Sequence, residues 1–172
     1  MTHAMSTVPT LRAIRACLEG AIPAITANCA SDGTPNVAYI SQVVYVDDGH
    51  VALSFQFFNK TRENILANPC ATVLVLDPVT AHFYRLYLRY LRTETSGPLF
   101  ERMKAQLAGI ASHEGMAQVF ALKGADVYAV ERIEALPGEG LPPPPPRHVD
   151  LLGAVRLCSQ RLARCNALDE LL

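Results

Sequence analysis

The 172-residue sequence predicts a mainly β (α+β) fold, in which six or seven mostly antiparallel strands form a small barrel with flanking helices. Short apolar or alternating runs recur along the first 136 positions. Turn sequences rich in Asp, Gly and Pro separate them, and only a few segments have helical periodicity. These observations favour hairpin-connected strands over a helical bundle or an alternating α/β chain.

Composition excludes several classes of function. Half of the residues are hydrophobic, so a substantial core is available, and the net charge of −1 favours neither nucleic acid nor an anionic membrane as a partner. No apolar run approaches the ~20 residues of a membrane span, and no secretory signal is visible at the start. The five cysteines have irregular spacing without C-x-x-C, which disfavours a disulfide framework or a zinc site and indicates reduced thiols in a cytoplasm. The five scattered histidines suggest no metal site and no Ser/His/Asp set.

In chain order, the first half predicts a short helix over 8–19 and strands over 22–28, 37–46 and 50–57. Apolar residues at helical spacing support the helix. Asp32-Gly33 forms the first turn, because glycine permits positive φ and aspartate can bond locally. Asp47-Asp48-Gly49 forms the second. The third strand alternates, so Val51, Leu53, Phe55 and Phe57 are expected in a core, while Ser54 and Gln56 lie on the opposite face. The simplest interpretation of Gln56 is exposure to solvent.

The segment 57–69, F-F-N-K-T-R-E-N-I-L-A-N-P, predicts a short helix that ends before its proline. Asn59 is a good N-cap residue, and Lys60, Thr61 and Arg62 occupy the first turn. Cations at that end oppose the helix dipole, and a bound phosphate would resolve the conflict by taking the free N–H groups, the hydroxyl and both positive charges. The alternative is a capped surface helix with solvated charges.

The second half predicts a buried strand over 70–76, a long strand over 83–93, a helix that begins at Gly97-Pro98, and strands over 116–122 and 126–133. The apolar stripe of the helix indicates core packing. Arg85, Tyr87 and Arg89 share one face of the long strand. That face is either a ligand or partner surface or a solvated outer face whose arginine stems cover apolar residues.

The chain divides into three parts by composition. Residues 1–136 hold the barrel, residues 137–147 form a Pro-rich linker, and residues 148–172 form a C-terminal helix with a short coiled-coil seam. That helix stops in mid-pattern, so we expect it to lead to a downstream domain that is absent from this chain.

Five sequence pieces, in order, resemble the FMN-binding split barrel of the pyridoxamine 5′-phosphate oxidase-related proteins. They are P-x-I-T at 23–26, D-G-x-P at 32–35, F-N-K-T-R-E-N at 58–64 closed by Asn68-Pro69, G-P-L-F at 97–100, and A-D-V-Y at 125–128. The similarity covers 22–136, about two thirds of the chain.

The resemblance implies a six- to seven-stranded split barrel that binds FMN as a homodimer, with the flavin at the subunit interface. It places the flavin phosphate on Asn59, Lys60 and Thr61, with Asn64 as support. It places the strands that contain Ser54, Phe55, Gln56, Ser41 and Gln42 beside the isoalloxazine, and gives Arg85 and Arg89 an interface or cofactor role.

The resulting function is FMN-dependent oxidoreduction of a small molecule, with the flavin carrying the hydride. One alternative is a non-catalytic FMN or ligand sensor module of a multidomain signalling protein, because 156–172 resembles the helix that leads into GAF domains. Another is a barrel kept for dimerisation alone. The last strand runs directly into the Pro-rich linker and the chain has no tryptophan. Since pyridoxamine phosphate oxidase proper carries an arginine-rich C-terminal segment, these departures argue against oxidation of pyridoxamine phosphate itself.

Overall fold

One antiparallel sheet is the framework of the computed structural model, which describes residues 9–18, 22–56, 59–113 and 121–136. Helix α1 (Asn59–Ala67) follows the fourth strand and helix α2 (Pro98–His113) follows the sixth. The seven strands are β1 (Ala24–Cys29), β2 (Pro35–Ile40), β3 (Val43–Asp47), β4 (His50–Phe55), β5 (Cys70–Leu76), β6 (Phe83–Glu94) and β7 (Gly124–Leu136).

The strand order shows that the sheet curls into a barrel. Its order is β2-β1-β5-β6-β7-β4-β3, and each neighbouring pair is antiparallel. Strands β2 and β3 lie at opposite ends of that order, yet only Ser41 and Gln42 separate them in the chain. Three residue steps span at most about 11 Å, so the two edges must come close together. The predicted mainly β split barrel is therefore confirmed.

The two predicted turns in the first half form as expected. Gly33 has a φ of 84°, and the backbone N–H of Thr34 donates to Asp32 Oδ1 over 2.9 Å. At the second turn the N–H of Gly49 donates to Asp47 Oδ1 over 2.8 Å. Local side-chain bonds thus fix both hairpins, as their sequences indicate.

Three predicted elements differ from the structure. The strand expected over 37–46 is broken at Ser41 and Gln42, where both side chains bond to other segments. The helix expected over 8–19 is a turn followed by a 3-10 helix over Arg15–Cys17, although Leu11 and Ile14 are buried as its stripe predicts. Most of the strand expected over 116–122 lies outside the described residues, and Ala121 and Leu122, which are described, are not in a strand.

Strand β4 is buried on both faces, and Gln56, which follows it, is buried too, so the expectation that Gln56 is exposed is wrong. Val51 and Leu53 lie in the barrel interior, whereas Ala52 packs in a second apolar cluster with Met103 of α2. Ser54 and Gln56 are only 4% and 1% exposed. An amphipathic helix must bury its apolar stripe, and α2 does so against this second face.

The burial predicted for strand β5 is wrong in the opposite direction. Its apolar sequence predicts burial on both faces, but only Ala71, Val73 and Val75 are buried, while Thr72 is half-buried and Cys70 is exposed. The second face of β5 therefore belongs to the outer surface of the barrel.

The predicted Pro-rich linker at 137–147 and C-terminal helix at 148–172 lie outside the described residues, and so does the end of the third predicted strand at 57. Within the described ranges, no helix is long and apolar enough to cross a membrane.

Candidate functional site

The first turn of α1 is tied to the β1–β2 hairpin by asparagine side chains. Asn36 Nδ2 donates to Thr61 Oγ1 over 3.0 Å and to Asn28 Oδ1 over 3.0 Å. Asn64 Nδ2 donates to the same Asn28 oxygen over 3.1 Å, and Asn28 Nδ2 donates to the backbone carbonyl of Thr61 over 3.3 Å. Asn28 and Asn64 are buried, so these bonds fix the start of the helix on the sheet. Asn64 thus lies behind Thr61, the position in which the sequence predicts it.

Lys60 points to solvent at the same helix start. Its Nζ lies 3.9 Å from Glu63 Oε2, and the two side chains are 60% and 69% exposed. An exposed pair at that distance contributes at most about 1 kcal/mol, so the ammonium group is available to an anion. Helix α1 begins at Asn59, but the side chain of Asn59 is outside the described set and its capping role stays a prediction.

Arg62 has partners within the barrel. Its Nη1 donates to Asp126 Oδ1 over 2.7 Å and to Thr93 Oγ1 over 2.6 Å, and its guanidinium carbon lies 4.7 Å from the centre of the Phe55 ring. Thr93 also donates to Asp126 through a very short bond. Burial raises the pKa of Asp126, and the bonds from Thr93 and Arg62 oppose that rise. Arg62 therefore joins the first turn of α1 to β6 and β7.

A small cavity lies between α1 and the sheet. Its volume is about 20 Å³, enough for one water molecule. Residues that the sequence selects from two separate segments meet there, because β4 contributes Ser54 and Phe55 and α1 contributes Thr61 and Arg62. The remaining lining residues are Thr26, Ile40, Leu53, Ile65, Asp126 and Tyr128.

A second polar cluster joins β4 to the β2–β3 connection. Gln56 Nε2 donates to Ser41 Oγ over 3.0 Å and to Ser54 Oγ over 3.4 Å, and Gln42 Nε2 donates to the backbone carbonyl of Met103 over 3.1 Å. The Oε1 atoms of Gln42 and Gln56 are buried, and neither has a hydrogen-bond partner among the described residues. A buried unpaired acceptor costs about 1–3 kcal/mol, so a donor brought by a ligand would relieve this cost.

Arg89 does not line the small cavity between α1 and the sheet. Its Nε donates to Glu131 Oε1 over 2.5 Å on the outer face of β6 and β7, and both side chains are about half exposed. Arg85 and Tyr87 share Glu134 on the same face. Ion pairs therefore cover this face within one chain. Among the described residues, no three His, Cys, Asp or Glu side chains are grouped to hold a metal ion.

Sequence reasoning missed Asn28, Asn36 and Asp126. Asn28 and Asn36 face each other across the β1–β2 hairpin, at equal distance from its turn. That spacing was a signal that could have been used, because cross-strand partners follow from turn position. Asp126 is one of three carboxylates in β7, with Glu131 and Glu134, and nothing in the sequence indicates that its partner is Arg62.

Comparison with solved structures supports the fold. An FMN-binding protein from Syntrophomonas wolfei subsp. wolfei is 18% identical, with a TM-score of 0.63 over 74% of this chain and 86% of that chain. A HupZ variant from Group A Streptococcus is 23% identical, with a TM-score of 0.54 over 72% and 96%. An F420 reductase is 16% identical, with a TM-score of 0.51 over 70% and 94%. No curated protein matched the sequence.

The family model described as pyridoxamine 5′-phosphate oxidase matches residues 10–132 of the sequence. This range is more than half of the chain, and it includes β1–β6, both helices and most of β7. The resemblance noted in the sequence is thereby confirmed, and the chain belongs to the pyridoxamine 5′-phosphate oxidase family.

Proposed function

We propose that this protein binds FMN, with the phosphate at the start of α1, and acts as a flavin-dependent oxidoreductase on a small molecule. One observation carries the proposal: the Thr61 hydroxyl oxygen accepts a hydrogen bond from Asn36, so its own proton is free to be donated. The hydroxyl is held in place and keeps its donor for an incoming anion.

Charge at the helix start supports a phosphate there. The first turn of α1 contains no acidic residue, and Lys60 projects from it with little restraint. Free N–H groups and the dipole at a helix start favour an anion. Lys60 and Thr61 are the proposed phosphate contacts. Arg62, which the sequence also suggests as a contact, serves in this proposal mainly to anchor the turn through Asp126.

The polar cluster of Ser41, Gln42, Ser54 and Gln56, which shares Ser54 with the cavity lining, fits a flavin ring system. Gln42 and Gln56 each present a buried acceptor that has no donor among the described residues, and a flavin ring carries an N–H donor as well as carbonyl acceptors. Ser41 and Ser54, both bonded to Gln56, retain hydroxyl protons that can be donated. FMN, once bound, would supply the hydride chemistry. The residues of the chain would hold and orient the FMN and shield part of its ring from solvent.

We further propose a homodimer with the flavin at the subunit interface, and a cytoplasmic location. The described cavity is far too small to enclose a flavin, which supports a site completed by a second subunit. The cysteines in the described ranges, Cys17, Cys29 and Cys70, are free thiols, as is common in a cytoplasm. Arg89 stays a proposed interface or cofactor residue.

The test is a titration of the purified protein with FMN, followed by flavin absorbance or fluorescence. Lys60→Ala combined with Thr61→Ala should weaken binding about 100-fold or more, because two charge-assisted bonds of at least about 1.5 kcal/mol each are lost. Thr61→Ser keeps the hydroxyl and should bind nearly normally. Lys104→Ala, an exposed lysine on α2, is the matched charge control.

Each result has a defined meaning. Unchanged affinity in the double variant would show that the phosphate is misplaced, and a wild-type protein that ignores FMN would refute the proposal. Since one structural relative is named an F420 reductase, the same titration is run with F420. Oxidation of a nicotinamide cofactor by the FMN-loaded protein is the expected turnover, and its absence would contradict the oxidoreductase assignment while leaving FMN binding intact.

A further inference from the structure

An open groove on the outer face of the sheet contains two of the free cysteines. Its volume is about 410 Å³, and it is separate from the cavity beneath α1. Cys29 at the end of β1 is half-buried in it, and Cys70 at the start of β5 is exposed. The other lining residues are Ala27, Asn28, Ala71, Thr72, Tyr87, Leu88 and Glu131.

We propose that Cys29 and Cys70 are a redox-active pair that closes to an intramolecular disulfide by exchange with a low-molecular-weight disulfide. This proposal assigns the groove a chemistry that is independent of flavin binding.

Strand register supports the pairing. β1 and β5 are antiparallel, and Ala27 lies opposite Thr72. The paired part of this ladder ends there, and the same register extended by two residues, to the last residue of β1 and the first of β5, would bring Cys29 across from Cys70. Facing residues of antiparallel strands have Cα atoms about 4.5–5.5 Å apart, which falls within the roughly 4.4–6.8 Å of disulfides.

Side-chain direction agrees with the register. Alternate residues of a strand point to the same face, so Cys29 points with Ala27 and Cys70 with Thr72. Ala27 and Thr72 both line the groove. The two thiols therefore open onto the same side of the sheet.

Polar groups next to each sulphur suit thiol exchange. Asn68 Nδ2 donates to Cys29 Sγ over 3.1 Å. Arg89 lies opposite Cys70 across the β5–β6 ladder, and the pKa of its guanidinium is raised mainly by Glu131 and to a smaller extent by Cys70. A donor or cation beside sulphur stabilises the negative charge that a thiol carries as it attacks.

The exchange is balanced with oxidised glutathione as the oxidant. The Cys70 sulphur, having lost its proton, attacks one glutathione sulphur, so the glutathione disulfide breaks and one glutathione leaves as a thiol. The Cys29 sulphur then attacks Cys70, forms the internal disulfide and releases the second glutathione. Two electrons and two protons pass from the two cysteines to the two glutathione molecules.

Cys17 is an internal control for this chemistry. It is buried in the barrel core, and burial raises its pKa to about 11, with the charge of Asp77 adding to the rise. Such a thiol is a poor nucleophile near neutral pH. It should stay reduced while Cys29 and Cys70 react.

The experiment uses the full chain carrying Cys158→Ser and Cys165→Ser, so that only the thiols of Cys17, Cys29 and Cys70 remain. The folded protein is incubated with oxidised glutathione, quenched with acid, and analysed by intact mass and peptide mapping. We expect a product that has lost two hydrogen atoms, a crosslinked Cys29–Cys70 peptide, and free Cys17. Reduction with dithiothreitol should restore the starting mass.

Single serine variants test the order of attack. Cys29→Ser should accumulate one glutathione on Cys70, because no second thiol can displace it. Cys70→Ser should react at least tenfold more slowly, since the exposed attacking thiol is gone. A glutathione adduct that persists on Cys70 in the presence of Cys29 would overturn the proposal, and so would unreacted cysteines in the protein that retains both. Because the readout is thiol mass, failure here is distinguishable from failure to bind FMN.

Discussion

Replacement of Arg62 by Met tests whether the ion pair between α1 and β7 governs stability. Methionine keeps much of the packing of the arginine stem and removes its charge. The Arg62 side chain is 25% exposed and that of Asp126 is 10% exposed. The pair is therefore intermediate between exposed pairs, worth about 0.2–1 kcal/mol, and buried pairs, whose disruption costs about 3–5 kcal/mol. We expect a loss of about 2–3 kcal/mol in the free energy of unfolding at pH 7.

The loss should depend on pH in a defined direction. Burial already raises the folded-state pKa of Asp126 above its ordinary value, and removal of Arg62 removes a cause that lowers it. A carboxyl with a raised folded pKa binds more protons in the folded state, so stability falls as pH rises from the unfolded pKa through the folded pKa. The full loss of stability in Arg62→Met is present above the folded-state pKa of Asp126. The deficit of Arg62→Met is thus expected to be largest at pH 7 and smaller near pH 4.

The assay is urea unfolding followed by circular dichroism at both pH values, with the difference between variant and wild type taken at each. Arg92→Met is the matched control, because Arg92 pairs with Glu94 on the surface and is 56% exposed. It should cost less than about 1 kcal/mol. A deficit of Arg62→Met that equals the control, or that is the same at pH 7 and pH 4, would refute the reasoning.

Two further predictions concern the same region. Gly124→Ala should destabilise the fold by about 1–3 kcal/mol, because the added Cβ would lie 2.5 Å from the Cγ2 of Thr93, which its bonds to Asp126 and Arg62 hold in place. Gly109→Ala is the control in the same urea assay, because a Cβ added there meets no described atom within 4 Å, and equal stability of the two variants would contradict the steric argument. Gln56→Met should leave the stability of the FMN-free protein nearly unchanged, because it removes a buried acceptor with no partner among the described residues together with the bonds to Ser41 and Ser54. It should nevertheless weaken FMN binding in the titration. A large loss of stability with normal FMN affinity would show that Gln56 is structural.

Local sequence signals predicted the fold well where the cause was local. Gly33 and Gly97 adopt positive φ, as the turn before β2 and the start of α2 require. The strand expected over 70–76 has those bounds in the structure. Turn chemistry and alternation depend on residues a few positions apart, so one sequence suffices to identify them.

Errors arose where distant segments decide the environment. Whether the second face of β4 is buried depends on α2, which follows about 45 residues later and covers it through Met103. Strand β5 is equally apolar, yet no element among the described residues covers its outer face in this way, and Cys70 is exposed. The hydrophobic pattern predicts the strand, but it does not predict which segments pack against each of its faces.

The candidate site shows the same division. The sequence predicts Thr61 and Lys60 at the helix start, and the structure finds them there. It does not predict that Arg62 bonds to Asp126, since 64 positions separate the two residues. Register and barrel closure bring them together, and neither can be obtained from composition or spacing.

The amide network beneath the first turn of α1 has a consequence for how this region responds to acidity. Asn28, Asn36 and Asn64 carry no ionisable group, and neither does the threonine hydroxyl that Asn36 holds. A change of pH near neutrality therefore leaves every hydrogen bond of this amide network intact. A phosphate monoester, in contrast, changes its own charge near pH 6. If a phosphate ester binds at this helix start and its affinity falls in acid, the loss would then report protonation of the phosphate more than a rearrangement of the binding site.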